Sequence, residues 1–376
     1  MTLPLIGLTM LIAACDGEDK AAAPPPPPAP EVTVAAPLLK EIVEWDEYTG
    51  RFEAVERVEI RARVSGYMDK VLFKEGQQVS AGQSLFVIDQ RPFRIALDRT
   101  TAQYELARKE NERAESLQRT SAASVARLDQ TVEALRAAKA DLDRAKLDML
   151  FTEIKAPISG RISRNYVDVG NLVNGDTQAA TLLTTIVSEN PIHFYFEISE
   201  QQLLKYSRLD KNGSRQTSRD TANPIYIRLQ DEKDFGHVGR MDFVDNEIDP
   251  GTGTMQGRAI LDNPDGILTP GLFGRARLPG SGIYQAILVP DAAIGTDQSR
   301  KFVTIVNAEG KAEMRFVEPG PIRASGLRII RKGLGADDKI VINGLQRARP
   351  GTPVTVKEGV IEEPDTEPLP KLPGQG

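Results

Sequence analysis

Two short stretches, Ile60-Arg61-Ala62-Arg63-Val64-Ser65-Gly66 and Ile154-Lys155-Ala156-Pro157-Ile158-Ser159-Gly160, match one another at a constant offset. The match continues beyond them. Each motif glycine is followed, at the same spacing, by a second glycine (Gly76, Gly170) and a valine (Val79, Val173). Each half then has a turn glycine, Gly82 or Gly175, and an apolar strand, 85–88 or 182–187. Short alternating strands punctuated by glycine read as two β half-modules. One half cannot bury its apolar face alone, so the two are expected to pack into a single β-sandwich.

The segment between the halves, 92–149, has no glycine and is rich in Ala, Arg, Glu, Leu and Gln. Leu128, Leu135, Leu142 and Met149 recur at heptad spacing, with Thr131, Ala138 and Ala145 three residues after the first three. That is the a/d seam of a coiled coil. Phe93, Leu97, Thr100, Tyr104, Ala107, Asn111 and Ala114 continue it in the first part. Pro92 suits a helix start. A break at 120–124 leaves Ser124 as N-cap of a second helix. Two antiparallel helices of about 27 residues would project roughly 40 Å. Outside the seam they are too polar for core helices of a bundle.

After residue 187 the pattern returns to β. Residues 192–198 alternate, and 200–209 form a short amphipathic helix. Strands at 225–229, 236–244, 254–261 and 274–278 then read as a small antiparallel barrel. A last block has strands at 287–289, 302–306, 314–317, 328–330 and 340–342. The N-terminal strands 31–35 and 42–51 have no local partners, so they are expected to complete the last two domains. A chain that runs out and back shares its domains between two limbs.

Residues 1–15, MTLPLIGLTMLIAAC, are apolar but well short of the roughly 20 residues that span a bilayer, and resemble a signal-peptide core. Leu11-Ile12-Ala13-Ala14-Cys15 resembles a bacterial lipoprotein signal, and Cys15 is the only cysteine in the chain. Asp16 directly after it resembles the enterobacterial signal for retention in the inner membrane. The proline run that follows favours an extended polyproline spacer of roughly 30 Å.

Little reactive chemistry is on offer. The net charge of −6 gives no basic footprint for nucleic acid. One cysteine excludes a disulfide framework or a cysteine-based zinc cluster within one chain. His193 and His237 stand apart, without ligand spacing. Phosphate-loop, dinucleotide-binding, GxSxG and HExxH motifs are missing from the sequence. Asp245-Asn246-Glu247-Ile248-Asp249 lacks the calcium-loop pattern and reads as a turn. No enzyme is expected. The paired half-modules resemble a lipoyl or biotinyl carrier domain, which holds its modifiable lysine where the halves join. Gln90 stands there, and Asp69-Lys70 lies inside the first half. A carrier is therefore the weaker reading.

Together these features resemble the periplasmic adaptor subunits, or membrane fusion proteins, of resistance–nodulation–division (RND) multidrug efflux pumps. The resemblance rests on Tyr48-Thr49-Gly50-Arg51-Phe52-Glu53-Ala54, on the half-modules, on Gly251-Thr252-Gly253-Thr254 with Arg258-Ala259, and on Asn263-Pro264-Asp265-Gly266 with Pro270-Gly271. Val289-Pro290-Asp291-Ala292-Ala293, Gly333-Leu334 and Val341-Ile342-Asn343-Gly344-Leu345 follow in the same order.

The resemblance implies a mostly β, elongated multi-domain fold with an inserted α-helical coiled-coil hairpin. The expected parts are a signal peptide (1–14), a lipidated Cys15 with its tether (15–30) and a membrane-proximal β domain (31–39 and 283–358). A β-barrel (40–53 and 191–282), a lipoyl-like sandwich (54–90 and 151–190), the helical hairpin (91–150) and a disordered tail (359–376) complete it. It further implies an adaptor on the periplasmic face of the inner membrane, joining an RND proton/drug antiporter to an outer-membrane channel. Six copies would assemble, with no cofactor beyond the lipid.

Arg113, Leu117 and Ser124 correspond to the family's channel-touching tip residues, although this hairpin is a couple of heptads shorter than in many members. Gly251, Thr252, Gly253, Thr254 and Arg258 are the candidates for gripping the transporter. An adaptor for an ATP-driven exporter or a secretion system is the alternative within the same class. A metal-efflux adaptor would show Met- or His-rich stretches, which the scattered seven Met and two His do not form.

Overall fold

The computed structural model describes residues 29–119, 124–176, 178–363 and 369–370. The described residues divide into two compact units, one holding Val43–Ile283, the other formed by 29–42 with 284–363. Cys15 and the proline tether lie outside the described residues. No helix among those described is long and apolar enough to cross a membrane.

In the first unit the half-modules form a sandwich of two four-stranded sheets. One sheet runs Leu172–Val173, Gly66–Val71, Ser84–Ile88, Glu153–Lys155. The other runs Arg57–Arg61, Leu182–Val187, Gly160–Ile162, Gln78–Val79. Each sheet takes strands from both halves, so neither half closes a sheet of its own. Met68, Leu85, Phe86, Ile88, Ile162, Leu183 and Ile186 fill the space between them.

The repeated glycines have identifiable causes. A Cβ on Gly66 would stand 2.7 Å from Ile88 Cγ2, and one on Gly160 2.1 Å from the Val187 carbonyl oxygen. Gly76 and Gly170 instead take positive φ, +74° and +92°, in turns. Gly82 and Gly175 are not equivalent. Gly82 turns at φ +84°, whereas Gly175 packs its α-carbon against the Val64 backbone.

The hairpin consists of α1 (Arg91–Arg119) and α2 (Val125–Phe151). Thr100, Ala107, Asn111 and Ala114 are buried on α1, and Thr131, Leu142 and Ala145 on α2, all of them seam positions. Phe93, Leu97, Tyr104, Leu128, Leu135, Ala138 and Met149 are half-buried along the same line. The hairpin is pinned at its base. Gln90 Nε2 donates to Thr152 Oγ1 at 3.0 Å, and Thr152 is fully buried. The position where a carrier would hold its lysine thus closes the root of the coiled coil.

The barrel is closed by strands in the order Ile192–Ser199, Thr254–Leu261, His237–Val244, Pro224–Arg228, Phe273–Pro279, Trp45–Ala54. Phe52, Phe194, Phe196 and Tyr48 crowd its interior. Glycines opposite them make room. A Cβ on Gly50 would meet the Tyr195 carbonyl oxygen at 2.2 Å and the Phe194 ring at 2.6 Å. A third helix, α3 (Glu200–Lys211), opens with a capping box between Ser199 and Gln202.

In the second unit Glu31–Ala35 pairs antiparallel with Ile340–Asn343 and parallel with Thr355–Glu358. Leu38–Ile42 pairs with Tyr284–Pro290. Two sequence expectations change here. Residues 40–42, assigned to the barrel limb, belong to this second strand pair, because the chain breaks at Val43–Glu44 before Trp45–Ala54 begins. The segment expected to be an unpacked tail from 359 is packed through residue 363. Gly359 N donates to the Val34 carbonyl at 2.8 Å, and Ile361 is buried beside Ala35, Ile42 and Leu288. The Glu363 side chain is 3% exposed and receives Lys40, Arg323 and Ser325. The acid-rich composition of the tail hid these two anchoring side chains.

Burial alone would raise the Glu363 pKa, but its bonds from Lys40, Arg323 and Ser325 outweigh burial and lower it. A carboxyl whose folded pKa lies below its unfolded one stabilises the fold above the unfolded value and loses that contribution as pH falls. Chemical denaturation is therefore expected to show this unit weakening as pH drops below 4.5. Glu363→Gln removes part of that dependence and costs on the order of 2–3 kcal/mol at pH 7. In the barrel, Gly50→Ala is expected to cost at least about 1–3 kcal/mol in urea unfolding, because backbone and ring must both move.

Candidate docking surfaces

Three places carry exposed or unusual side chains: the hairpin tip, the turn between two barrel strands, and the barrel end beneath α3. At the tip, Arg113 and Leu117 are one helical turn apart on α1 and share a face. Leu117 is 50% exposed, a large apolar side chain left at the solvent end of a polar helix. Arg113 is exposed and has no ion pair among the described residues. Ser124 begins α2, and its Oγ accepts from Arg127 N at 3.3 Å. Its hydroxyl therefore first holds the helix start. Residues 120–123 lie outside those described.

Just below the tip, Thr131 Oγ1 donates to Asn111 Oδ1 at 3.2 Å inside the seam. Asn111 Nδ2 reaches Glu115 at 2.7 Å, and Thr131 shares its one hydroxyl proton with the Leu128 carbonyl at 2.9 Å. A buried polar pair in a largely apolar seam favours one register over its slipped alternatives. The heptad reading placed Asn111 and Thr131 in the seam but could not show that they bond.

Gly251, Thr252, Gly253 and Thr254 are gathered in one tight turn. Asp249 Oδ1 accepts from Gly251 N at 2.8 Å, and the Asp249 carbonyl accepts from Gly253 N at 2.8 Å. Gly253 has φ +68°. Thr254 Oγ1 donates to Glu197 at 2.7 Å. Arg258 is not in this turn. It shares the outward face of the strand about 13 Å further along. Its guanidinium grips Asp242 at 3.0–3.2 Å and lies over Phe243. His193 approaches the same Asp242 at 3.8 Å, with its pKa lowered by burial and by Arg258.

The barrel end holds a cluster that sequence reading missed. Lys205 Nζ donates to both Asp46 carboxylate oxygens, at 2.8 and 2.9 Å. The Tyr206 hydroxyl donates to Asp46 at 2.8 Å and so accepts from Tyr48, 2.5 Å away. Burial pushes both phenols well above their usual pKa, keeping them neutral. The contacts join Trp45–Ala54 to α3, which only barrel closure brings together, so no local motif announces them. Among the described residues no group of three or more His, Cys, Asp or Glu side chains could hold a metal ion.

Comparison with known proteins agrees with this architecture. The RND MFP barrel-sandwich hybrid domain matches residues 56–185, the RND MFP beta-barrel domain 191–280, and the RND MFP C-terminal permuted SH3 domain 285–347. The efflux pump periplasmic linker BepD of Brucella suis is 33% identical over 338 residues, covering 85% of this chain and 84% of that protein. Multidrug resistance protein MexA of Pseudomonas aeruginosa is 32% identical over 351 residues, covering 92% and 90%. A solved MacA–MexA chimera carrying the P. aeruginosa MexA α-hairpin shares the fold at TM-score 0.57 and 20% identity, over 69% of this chain and 88% of that one.

The seam pair yields a stability test. Asn111→Leu orphans no group, because Thr131 keeps its bond to Leu128. It is expected to change stability by less than about 1.5 kcal/mol in thermal melts followed by circular dichroism. Asn111→Asp places a charge in the seam and is expected to cost about 3 kcal/mol at pH 7. From strand order, hairpin and sequence alike, the chain belongs to the RND-type membrane fusion proteins, the periplasmic adaptors.

Proposed function

We propose that this chain is the adaptor of a tripartite multidrug efflux pump, joining an inner-membrane RND proton/drug antiporter to an outer-membrane channel. The observation that carries the reading is the exposed Leu117 beside Arg113, which has no ion pair among the described residues, at the end of a register-locked hairpin. An apolar knob next to a cation fits a groove between helices that is rimmed with carboxylates or carbonyls. BepD and MexA, named as a periplasmic linker and a multidrug resistance protein, support the same role.

In this proposal Cys15 carries a lipid that holds the chain at the periplasmic face of the inner membrane. Several copies, six by analogy with the family, align their hairpins into a tube. The turn Gly251–Thr254 offers exposed backbone and hydroxyls to the transporter, whereas Arg258 supports the barrel surface through Asp242. The protein itself performs no catalysis and carries no cofactor; the transporter supplies the energy.

The test is fluorescent-drug accumulation in cells deleted for this chain. Deletion is expected to raise accumulation several-fold, wild type to restore efflux, and Leu117→Asp to fail at normal abundance. An unchanged accumulation across a broad dye and antibiotic panel would contradict multidrug efflux. It would favour the ATP-driven exporter or secretion alternative.

A further inference from the structure

The first turn of α2 breaks a local rule. Helices that open on a Ser cap commonly place Glu or Gln at the third position, where the side chain reaches back to the cap's own N–H. The third residue after Ser124 is Arg127. No acidic residue stands in that turn, so a cation faces the positive end of the helix dipole unopposed. The guanidinium is exposed, and its Nη1 donates at 3.1 Å to Oε1 of the neutral Gln130. Like Arg113, Arg127 has no ion pair among the described residues.

The bond between Asn111 and Thr131 fixes where Arg127 stands relative to the end of α1. The helices are antiparallel, so a step of four residues back from Thr131 matches a step of four forward from Asn111. Arg127 is therefore level with Glu115, midway between Arg113 and Leu117, about 6 Å beyond the seam pair. The heptad gives its side of the hairpin. Arg127 directly precedes the seam residue Leu128, and Leu117 directly precedes Gln118, which stands one heptad after Asn111. In an antiparallel pair, residues so placed on the two helices flank the same side of the seam. Arg113, one turn below Leu117, keeps to that side. Acids at this height are turned elsewhere. Glu115 accepts from Asn111 at 2.7 Å and faces Arg119 at 4.0 Å, and Glu112 lies 3.6 Å from Arg108. Asp129, two residues along α2, faces away from Arg127.

We propose that Arg127 is a further channel contact, completing a tip in which two cations stand astride one apolar knob. The inference rests on the adaptor reading above and narrows what the outer-membrane channel must offer. Its helical end should present an apolar groove with a carboxylate or carbonyl acceptor on each rim, one for Arg113 and one for Arg127. A groove with acceptors on one rim alone would press the other guanidinium, stripped of water, against an apolar wall. An arginine that opposes its own helix and meets no carboxylate in its own chain finds its acceptor on that second rim.

The test sets stability against function. Arg127→Glu completes the Ser124 capping box and puts an acid at the helix start, so the purified full chain is expected to melt no lower than wild type. In cells deleted for the native chain, the same variant is expected to leave drug accumulation near the deletion level at normal abundance, whereas Arg127→Lys restores efflux. Should Arg127→Glu reach only low abundance, Arg127→Gln provides the second variant. It keeps a capping side chain without the charge and is expected to raise accumulation several-fold over wild type. Full efflux by either variant at normal abundance, with Leu117→Asp still inactive, would overturn the role of Arg127 and leave the adaptor reading in place. Full efflux by Leu117→Asp as well would remove the docking tip altogether. A melting temperature that falls together with efflux in Arg127→Glu would make Arg127 a structural residue and contradict the proposal.

Discussion

Everything distinctive in this chain depends on interleaved strand pairing in the sandwich. Arg57–Arg61 pairs with Leu182–Val187, and Ser84–Ile88 with Glu153–Lys155, so the outgoing limb has no complete sheet until the returning limb arrives. The helices between them are consequently held by two strands at their root, with Gln90 and Thr152 bonded across the junction. A coiled coil of two helices, 29 and 27 residues long, gains its direction from that root and its register from Asn111 and Thr131. The barrel repeats the scheme, since Trp45–Ala54 seals the gap between Ile192–Ser199 and Phe273–Pro279.

The features legible in the sequence were those with strong periodicity or strict steric cause. Glycines that admit no Cβ repeat visibly, and a heptad seam burying small residues reads the same in either representation. Central strands such as Thr254–Leu261 were equally plain, because both neighbours demand alternation. The strands that escaped notice, Ile294–Asp297, Glu318–Ile322 and Thr355–Glu358, all lie at sheet edges. An edge strand pairs on one side only and tolerates polar residues and proline. Glu318-Pro319-Gly320-Pro321-Ile322 reads as a loop for that reason. Leu38–Ile42, merged in part with the strand after it, is an edge as well.

The surfaces divide along the same line. The family resemblance offers Leu117 and Arg113 as tip residues, and their phase outside the seam near the break fits the exposure of both. Gly251–Thr254 likewise forms its turn from local chemistry, an Asp side chain and a glycine at positive φ. The Asp46–Lys205–Tyr206–Tyr48 cluster could not be read this way. Its members are distant in sequence, ordinary in type, and meaningful only once the barrel has closed and α3 covers its end. Arg258, which the family pattern offers as a transporter contact, is bonded to Asp242 on the outward face of the barrel.

The central claim is that the hairpin tip meets an outer-membrane channel. Its most direct measurement is proximity crosslinking in cells. Cys15 is the only native cysteine, so Leu117→Cys adds one defined thiol to the tip, to which a photoactivatable maleimide can be attached. Mass spectrometry of the products is expected to find a peptide of an outer-membrane channel protein, present in Leu117→Cys and missing from wild type. Crosslinks confined to inner-membrane proteins, from a variant that is abundant and still restores efflux, would contradict it.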